Sequence, residues 1–110
     1  MRRARRVSFQ LLLTTYPTYE RAGEAQMSIG DAYAQEGNRA AADSVYALVA
    51  IKYAGTYEAA RSLYKRAQAL KEAGQIPQAK KLFEEIVAKY PRSDMRELAD
   101  LELAALAKKP

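Results

Sequence analysis

The sequence predicts an all-α fold of about five helices, arranged as antiparallel helix pairs that stack into a superhelix. Three observations lead to this prediction. Tyr16, Tyr53 and Tyr90 recur at a spacing of 37 residues, and a period of about 20 to 50 residues is typical of stacked arrays of small structural units. Ala, Leu, Glu, Gln, Lys and Arg make up most of the chain, which favours helices. Apolar residues recur three and four positions apart, which is the spacing of an amphipathic helix.

The first three helices are predicted from this spacing and from the residues that interrupt it. Val7–Thr15 forms a short first helix, with apolar positions at Phe9, Leu12 and Leu13. It ends at Tyr16–Pro17, because the residue before a proline is pushed out of the helical region. The second helix extends from about Glu20 to Gln35 and the third from about Arg39 to Lys52. Gly37 separates them, as expected after a helix C-terminus.

The same order of elements then repeats. Tyr53–Thr56 is a predicted turn, and a fourth helix follows to about Ala73, where Gly74 ends it. Pro77 falls in the first turn of the fifth helix, where its missing N–H leaves no helical bond unmade. Tyr90–Pro91 ends that helix.

Ser93 or Asp94 is expected to cap a last helix, which extends to about Lys108. The whole chain is therefore interpreted as a basic extension followed by one domain. The predicted boundaries are 1–6 for the extension, 7–110 for the domain, and within it a half repeat 7–17, whole repeats 18–54 and 55–91, and a half repeat 92–108.

Overlaying residues 17–53 on 54–90 shows three pairs of equivalent positions with different structural roles. Gly37 and Gly74 form the turn inside each helix pair. The other two pairs are expected in the core. One pair consists of small residues that let the two helices approach closely, and the other consists of large residues that fill the space between the helices. These pairs are Ala42 with Ala79, and Tyr46 with Phe83.

The pattern resembles the tetratricopeptide repeat family. That family has a small residue late in the first helix, an aromatic residue three positions on, a turn, an Ala in the second helix, an aromatic residue four positions later, and a closing Pro. The first repeat has Gly30, Tyr33, Gly37, Ala42, Tyr46 and Ala54 at these positions. The second has Ala67, Leu70, Gly74, Ala79, Phe83 and Pro91. The resemblance implies a right-handed α–α superhelix that serves as a non-catalytic protein-interaction scaffold, as part of a larger assembly.

The repeat is longer than the family's common length of about 34 residues. Together with the Lys89–Tyr90–Pro91 corner, this length resembles the repeats of bacterial cell-envelope proteins, such as the Tol–Pal-associated coordinator and the outer-membrane assembly lipoprotein. The resemblance favours the periplasm or cell envelope, with the cytoplasm as the alternative. The basic start followed by Val7–Leu13 is similar to a signal peptide, but its apolar run is short and no small-x-small cleavage site follows, so no signal peptide is predicted.

If the family's groove positions carry over, the first helix of each pair lines a concave groove that binds a protein or peptide partner. The matching residues of the first repeat are Glu24, Met27, Asp31, Ala34 and Gln35, and those of the second are Arg61, Tyr64, Gln68, Lys71 and Glu72. Tyr64 has two interpretations, as a packing residue or as a ligand-facing one. The groove lacks the lysine–asparagine pair with which some co-chaperone repeats hold a C-terminal carboxylate, so an extended or helical protein segment is the expected ligand.

Catalysis is not expected, because the chain has no His and no Cys to act as general base or thiol nucleophile. No cofactor is expected, and no metal site, since no clustered acidic loop is present. The carboxylate pairs, such as Glu84–Glu85, alternate with basic residues and are interpreted as solvated helix faces.

Two alternative functions follow from the ends of the chain. The terminal helices lack a neighbour on one side, so their apolar residues are expected to allow self-association into a homo-oligomer. These residues are Phe9, Leu12, Leu13, Leu98, Leu101, Leu103 and Leu106. Arg2, Arg3, Arg5 and Arg6 carry four of 18 basic charges, which leaves 14 against 13 acidic residues in the rest. Nucleic acid and membranes are therefore not expected partners, except through a weak tether of these four arginines to anionic lipid or nucleic acid.

Three tyrosines are predicted at the corners between repeats. The rings of Tyr16, Tyr53 and Tyr90 are expected to pack while their hydroxyls stay in water. Tyr33 and Tyr46 are expected in the core.

Overall fold

The computed structural model describes residues 21–108, all of whose regular structure is helical. The five helices are α1 (Ala22–Gln35), α2 (Arg39–Lys52), α3 (Tyr57–Glu72), α4 (Ile76–Lys89) and α5 (Asp94–Ala107). The predicted all-α solenoid of antiparallel helix pairs is confirmed. The first predicted helix, Val7–Thr15, lies outside the described residues. The five helices of the structure correspond to the five predicted helices that follow it.

Local sequence explains where the helices begin. The side chains of Asn38, Thr56 and Ser93 accept hydrogen bonds from the first-turn N–H groups of α2, α3 and α5, at 3.2, 3.2 and 3.1 Å. Pro77 lies in the first turn of α4, as predicted. Of the two predicted caps for the last helix, Ser93 is the one that accepts the bond.

The two turns inside the helix pairs have the same geometry. Gly37 and Gly74 both have a φ of 82°, which is the left-handed conformation that glycine adopts without steric cost. The following residue donates its backbone N–H to a carbonyl five positions back, from Asn38 to Tyr33 and from Gln75 to Leu70, both at 2.9 Å. This Schellman motif satisfies carbonyls that the helix end leaves free.

Consecutive helices pack against each other, and α1 also contacts α3 as α3 contacts α5. The first helices of successive pairs therefore lie side by side on one face of the array. Ala42 and Ala79 are buried between the helices of their pairs, and so are Tyr46 and Phe83, as the repeat alignment predicts. The core has one cluster between α1 and α2 and another shared by α3, α4 and α5.

The prediction for the corner tyrosines is wrong in one respect. The Tyr90 hydroxyl lies at an exposed site, where it accepts a hydrogen bond from the backbone N–H of Gly55 at 3.0 Å. The Tyr53 hydroxyl is buried and has no hydrogen-bond partner among the described residues. Tyr16 lies outside them. The corner at Tyr53 is therefore packed more tightly than a wet hydroxyl implies.

Candidate functional site

A cleft of about 480 Å³ lies where α1, α2 and α3 meet. Its lining combines charged side chains of both signs with small residues and one buried tyrosine, Tyr46. The charged residues are Asp31, Asp43, Glu72, Arg39, Arg61, Lys65 and Arg66, and the small ones are Ala34, Ala42 and Ala69; Gln35 and Gln68 complete the lining. The small residues leave the space that the charged ones surround.

Asp31 connects the three helices that form the cleft. Its carboxylate accepts a hydrogen bond from the Tyr46 hydroxyl at 2.6 Å and forms an ion pair with Arg61 at 3.3 Å. Burial, and then the hydrogen bond and charge of Asp31, raise the pKa of Tyr46 far above its ordinary value. Tyr46 therefore stays protonated at physiological pH and keeps donating to Asp31.

A second ion pair joins α2 to α3. The Arg66 Nε lies 2.9 Å from the Asp43 Oδ1. The acidic groups at the centre of the cleft, Asp31 and Asp43, are thus both neutralised by arginines of α3. Arg39 and Lys65 also line the cleft, and neither forms an ion pair with any residue in the range 21–108. The guanidinium group of Arg39 and the ammonium group of Lys65 are therefore available to a ligand.

The same face continues from α3 to α5. Lys71 forms an ion pair with Glu102 of α5 at 2.6 Å. The Tyr64 ring packs edge-on against Phe83, with centroids 5.8 Å apart, and its hydroxyl accepts a hydrogen bond from Gln68 at 3.1 Å. Burial, and then the charge of Glu102, raise the pKa of Tyr64. Of the two interpretations of Tyr64, these contacts favour a packing residue, and its side chain is half-buried.

Six of the predicted groove residues meet in the cleft, and four do not. Those that line it are Asp31, Ala34, Gln35, Arg61, Gln68 and Glu72. Tyr64 and Lys71 lie further along the same face. Glu24 is exposed near the start of α1, outside the cleft lining, where the hydrogen bond and charge of Arg21 lower its pKa.

Met27 corrects the prediction. Only 2% of it is exposed, and it packs against Ala42, Tyr46 and Val49 in the cluster between α1 and α2. The thioether of Met27 packs against α2, because that contact removes it from water. Met27 supports the groove wall and does not present a surface.

The sequence reasoning missed the contribution of α2. Arg39 and Asp43 come from its first turns, and Lys65 and Arg66 come from positions of α3 that the family pattern does not assign to the groove. The only sequence signal was the opposite charge of Asp43 and Arg66. Because they lie 23 residues apart, no helical spacing connects them.

The predicted self-association residues of α5 divide into two groups. Leu98 and Leu101 are 38% and 68% exposed. Leu103 and Leu106 are half-buried against the cluster formed by α3, α4 and α5, so they are not edge residues as predicted. Phe9, Leu12 and Leu13 lie outside the described residues.

Residues 21–108 contain no group of three or more acidic residues placed to hold a metal ion. Within the same range, no helix combines the length and apolarity that a membrane crossing requires.

Comparison with known proteins agrees with the geometry of the second repeat. Residues 61–93 match the model of the tetratricopeptide repeat family, a segment that contains most of α3, all of α4 and the corner after it. Neither the curated proteins nor the solved structures that were searched gave a match. The family match supports a tetratricopeptide repeat protein, and such repeats generally mediate protein–protein interaction and are typically non-catalytic.

Proposed function

We propose that this chain is a non-catalytic interaction scaffold that binds a peptide or protein segment in the groove along α1, α3 and α5, as part of a larger assembly. The observation that carries the proposal is the cleft between α1, α2 and α3, where polar side chains of three helices surround small residues. A stacked helical array can bind a partner through such a surface, and this binding requires no catalytic residues.

Hydrogen bonds and ion pairs among the cleft side chains preorganise the cleft for binding. Tyr46, Asp31 and Arg61 form one connected set across three helices, and Asp43 with Arg66 forms another. Side chains held in this way lose little freedom when a partner binds, which strengthens binding. We assign primary contact to Asp31, Gln35, Arg61 and Gln68, and secondary contact along the groove to Tyr64 and Lys71.

The experiment selects peptides on the native chain from a displayed library and measures their affinity by calorimetry. The variant Lys65→Glu with Gln68→Ala changes two side chains of the cleft without removing either ion pair that joins its helices. Lys81→Glu is the matched control, since Lys81 is exposed on α4, away from the cleft. Binding at least about tenfold weaker in the cleft variant alone supports the proposal, and equal affinity in both variants overturns it.

Self-association through the terminal helices is the second candidate function. It is favoured by the exposure of Leu98 and Leu101 on one side of α5, since exposed large apolar residues that lie close together mark interaction sites. The expected result is that Leu101→Glu lowers the association constant of the chain in sedimentation equilibrium. Unchanged association would contradict it.

We also propose that the chain belongs to the envelope type of these repeats. The support is the 37-residue spacing of the corner tyrosines and the Lys89–Tyr90–Pro91 corner. The Tyr90 hydroxyl joins this corner to Gly55, which lies in the corner that begins at Tyr53. Fractionation of cells that express the full-length protein tests this. Recovery in the cytoplasmic fraction alone would rule it out.

A further inference from the structure

The outward face of α2 is apolar although it is exposed. We name it the outer stripe, and its residues are Ala40, Ala41, Ser44, Ala47, Leu48 and Ile51. Leu48 is 46% and Ile51 79% exposed. A helix turns about 100° per residue, so these six side chains occupy one sector that contains no charge. The Ser44 hydroxyl donates to the Ala40 carbonyl at 3.1 Å, so the one polar side chain of the stripe already has a partner.

The equivalent face of the second repeat is charged. The equivalent positions of α4, 37 residues later, are Pro77, Gln78, Lys81, Glu84, Glu85 and Ala88. Three charged residues of α4 thus replace Ser44, Ala47 and Leu48. All six are exposed or half-exposed, so the fold accepts a charged face at this place. The apolar outer stripe is therefore not required by the packing of the pair, and such a surface marks a contact site.

The order of side-chain sizes in the outer stripe indicates what covers it. Its first half holds Ala40, Ala41 and Ser44, and its second half holds Leu48 and Ile51. A second copy of α2 running antiparallel, with the two-fold axis at the level of residue 46, sets Ser44 opposite Leu48 of the second copy. It sets Ala41 opposite Ile51 in the same way. Each large side chain then meets a small one, twice by symmetry, which is the self-complementarity that a two-fold interface needs.

We propose that two copies of this chain pair through the outer stripes of their α2 helices, antiparallel. This goes beyond the groove function and leaves the cleft open, because Ala42 and Tyr46, which line the cleft, lie on the opposite side of α2 from the outer stripe. It also differs from association through Leu98 and Leu101, which are on α5.

The size of the contact sets its strength. α2 has 14 residues, so it is about 21 Å long at 1.5 Å per residue. One helix pair of that length buries a few hundred Å² per copy, below the roughly 800 Å² per partner of a standard stable interface. The pairing is therefore weak, with a dissociation constant on the order of 100 μM. It becomes effective when other contacts of an assembly bring two copies together.

Single cysteines test the geometry, since the chain has none of its own. Ala47 is one residue from the two-fold axis, so the two copies of this position are about 3 Å apart along the helix axes. We expect Ala47→Cys to cross-link under mild oxidation. Ala40 is six residues from the axis, which separates its copies by about 18 Å, beyond the roughly 7 Å that a disulfide tolerates between Cα atoms. Glu84→Cys, the equivalent of Ala47 in the second repeat, is the matched control.

The outcomes separate the alternatives. Cross-linking of Ala47→Cys without Ala40→Cys or Glu84→Cys supports the antiparallel pair. Cross-linking of Ala40→Cys shows a parallel pair and overturns the proposal, and so does equal cross-linking of all three.

Sedimentation equilibrium up to about 1 mM chain provides the second readout. Leu48→Glu introduces the residue that the second repeat carries at this place, and it is expected to raise the dissociation constant at least tenfold. Circular dichroism checks that the helices of this variant persist. They are expected to persist because Leu48 is exposed and is not part of the core. Lys81→Glu, on the exposed face of α4, is expected to leave this pairing unchanged. A chain that is monomeric at the highest concentration, or that is weakened by Leu101→Glu and not by Leu48→Glu, overturns the proposal.

Discussion

A methyl group added at Gly30 would press directly on Tyr46, which lines the cleft. A Cβ atom at this position would lie 2.6 Å from the Tyr46 Cε1, 2.9 Å from the Tyr46 Cδ1 and 3.2 Å from the Val45 Cγ1. The Tyr46 ring cannot simply swing away, because its hydroxyl is bonded to Asp31 at 2.6 Å. Gly30→Ala therefore forces either a shift of α1 against α2 or the loss of that hydrogen bond.

The magnitude follows from three opposing contributions. Alanine in a helix interior is more favourable than glycine by about 1 kcal/mol. Overpacking a buried contact costs about 1–3 kcal/mol, and a lost hydrogen bond to a charged acceptor costs about 1.5–3 kcal/mol when the ring does move. Because the two costs are alternatives and the gain offsets part of either one, the expected net effect of Gly30→Ala is a destabilisation of about 1 kcal/mol, and at most about 2 kcal/mol.

Urea unfolding followed by circular dichroism measures this change, with Gly23→Ala as the matched control on the same helix. At Gly23 the nearest atom to an added Cβ is the Tyr53 Cγ at 3.4 Å, an ordinary contact, so that variant is expected to be neutral or up to about 1 kcal/mol more stable. In a Tyr46→Ala background the destabilisation by Gly30→Ala should disappear. A Gly30→Ala chain as stable as the native one would refute the reasoning, and so would a destabilisation that persists without Tyr46.

Three further outcomes are expected. The raised pKa of Tyr46 means that the folded chain favours its protonated hydroxyl, so the free energy of unfolding should fall as pH rises above about 10, the ordinary pKa; titration of stability against pH should show a smaller fall for Tyr46→Phe. Phe83 is fully buried, so Phe83→Ala should destabilise the chain by about 3–5 kcal/mol in urea unfolding, and a change under about 1 kcal/mol would contradict the packing described. Gly74 has a φ of 82° with nothing near an added Cβ, so Gly74→Ala should cost about 1–2 kcal/mol from backbone strain alone, with Gly74→Asn closer to the native value in the same thermal melt.

The order and ends of the helices could be predicted from the sequence because short-range interactions set them. The glycine turns, the Ser93 cap and the position of Pro77 each depend on a few neighbouring residues, and they lie where the pattern places them. Burial of Tyr46 and Phe83 was also predictable, because the 37-residue repeat puts both at the same place in a helix pair. The repeat boundaries stay predictions.

The surfaces were decided by tertiary structure, since they depend on which helix lies beside each side chain. Met27 became buried because α2 covers it, and Leu103 and Leu106 became half-buried because α5 packs on the cluster that it shares with α3 and α4. The cleft combines residues such as Asp43 and Arg66, which only the crossing of α2 and α3 brings within 2.9 Å. Helical period alone thus determined which elements form and which face of each is apolar. The residues that meet in the cleft, and the apolar outer stripe that no described helix covers, follow from the distances and angles between helices, which a local pattern does not contain.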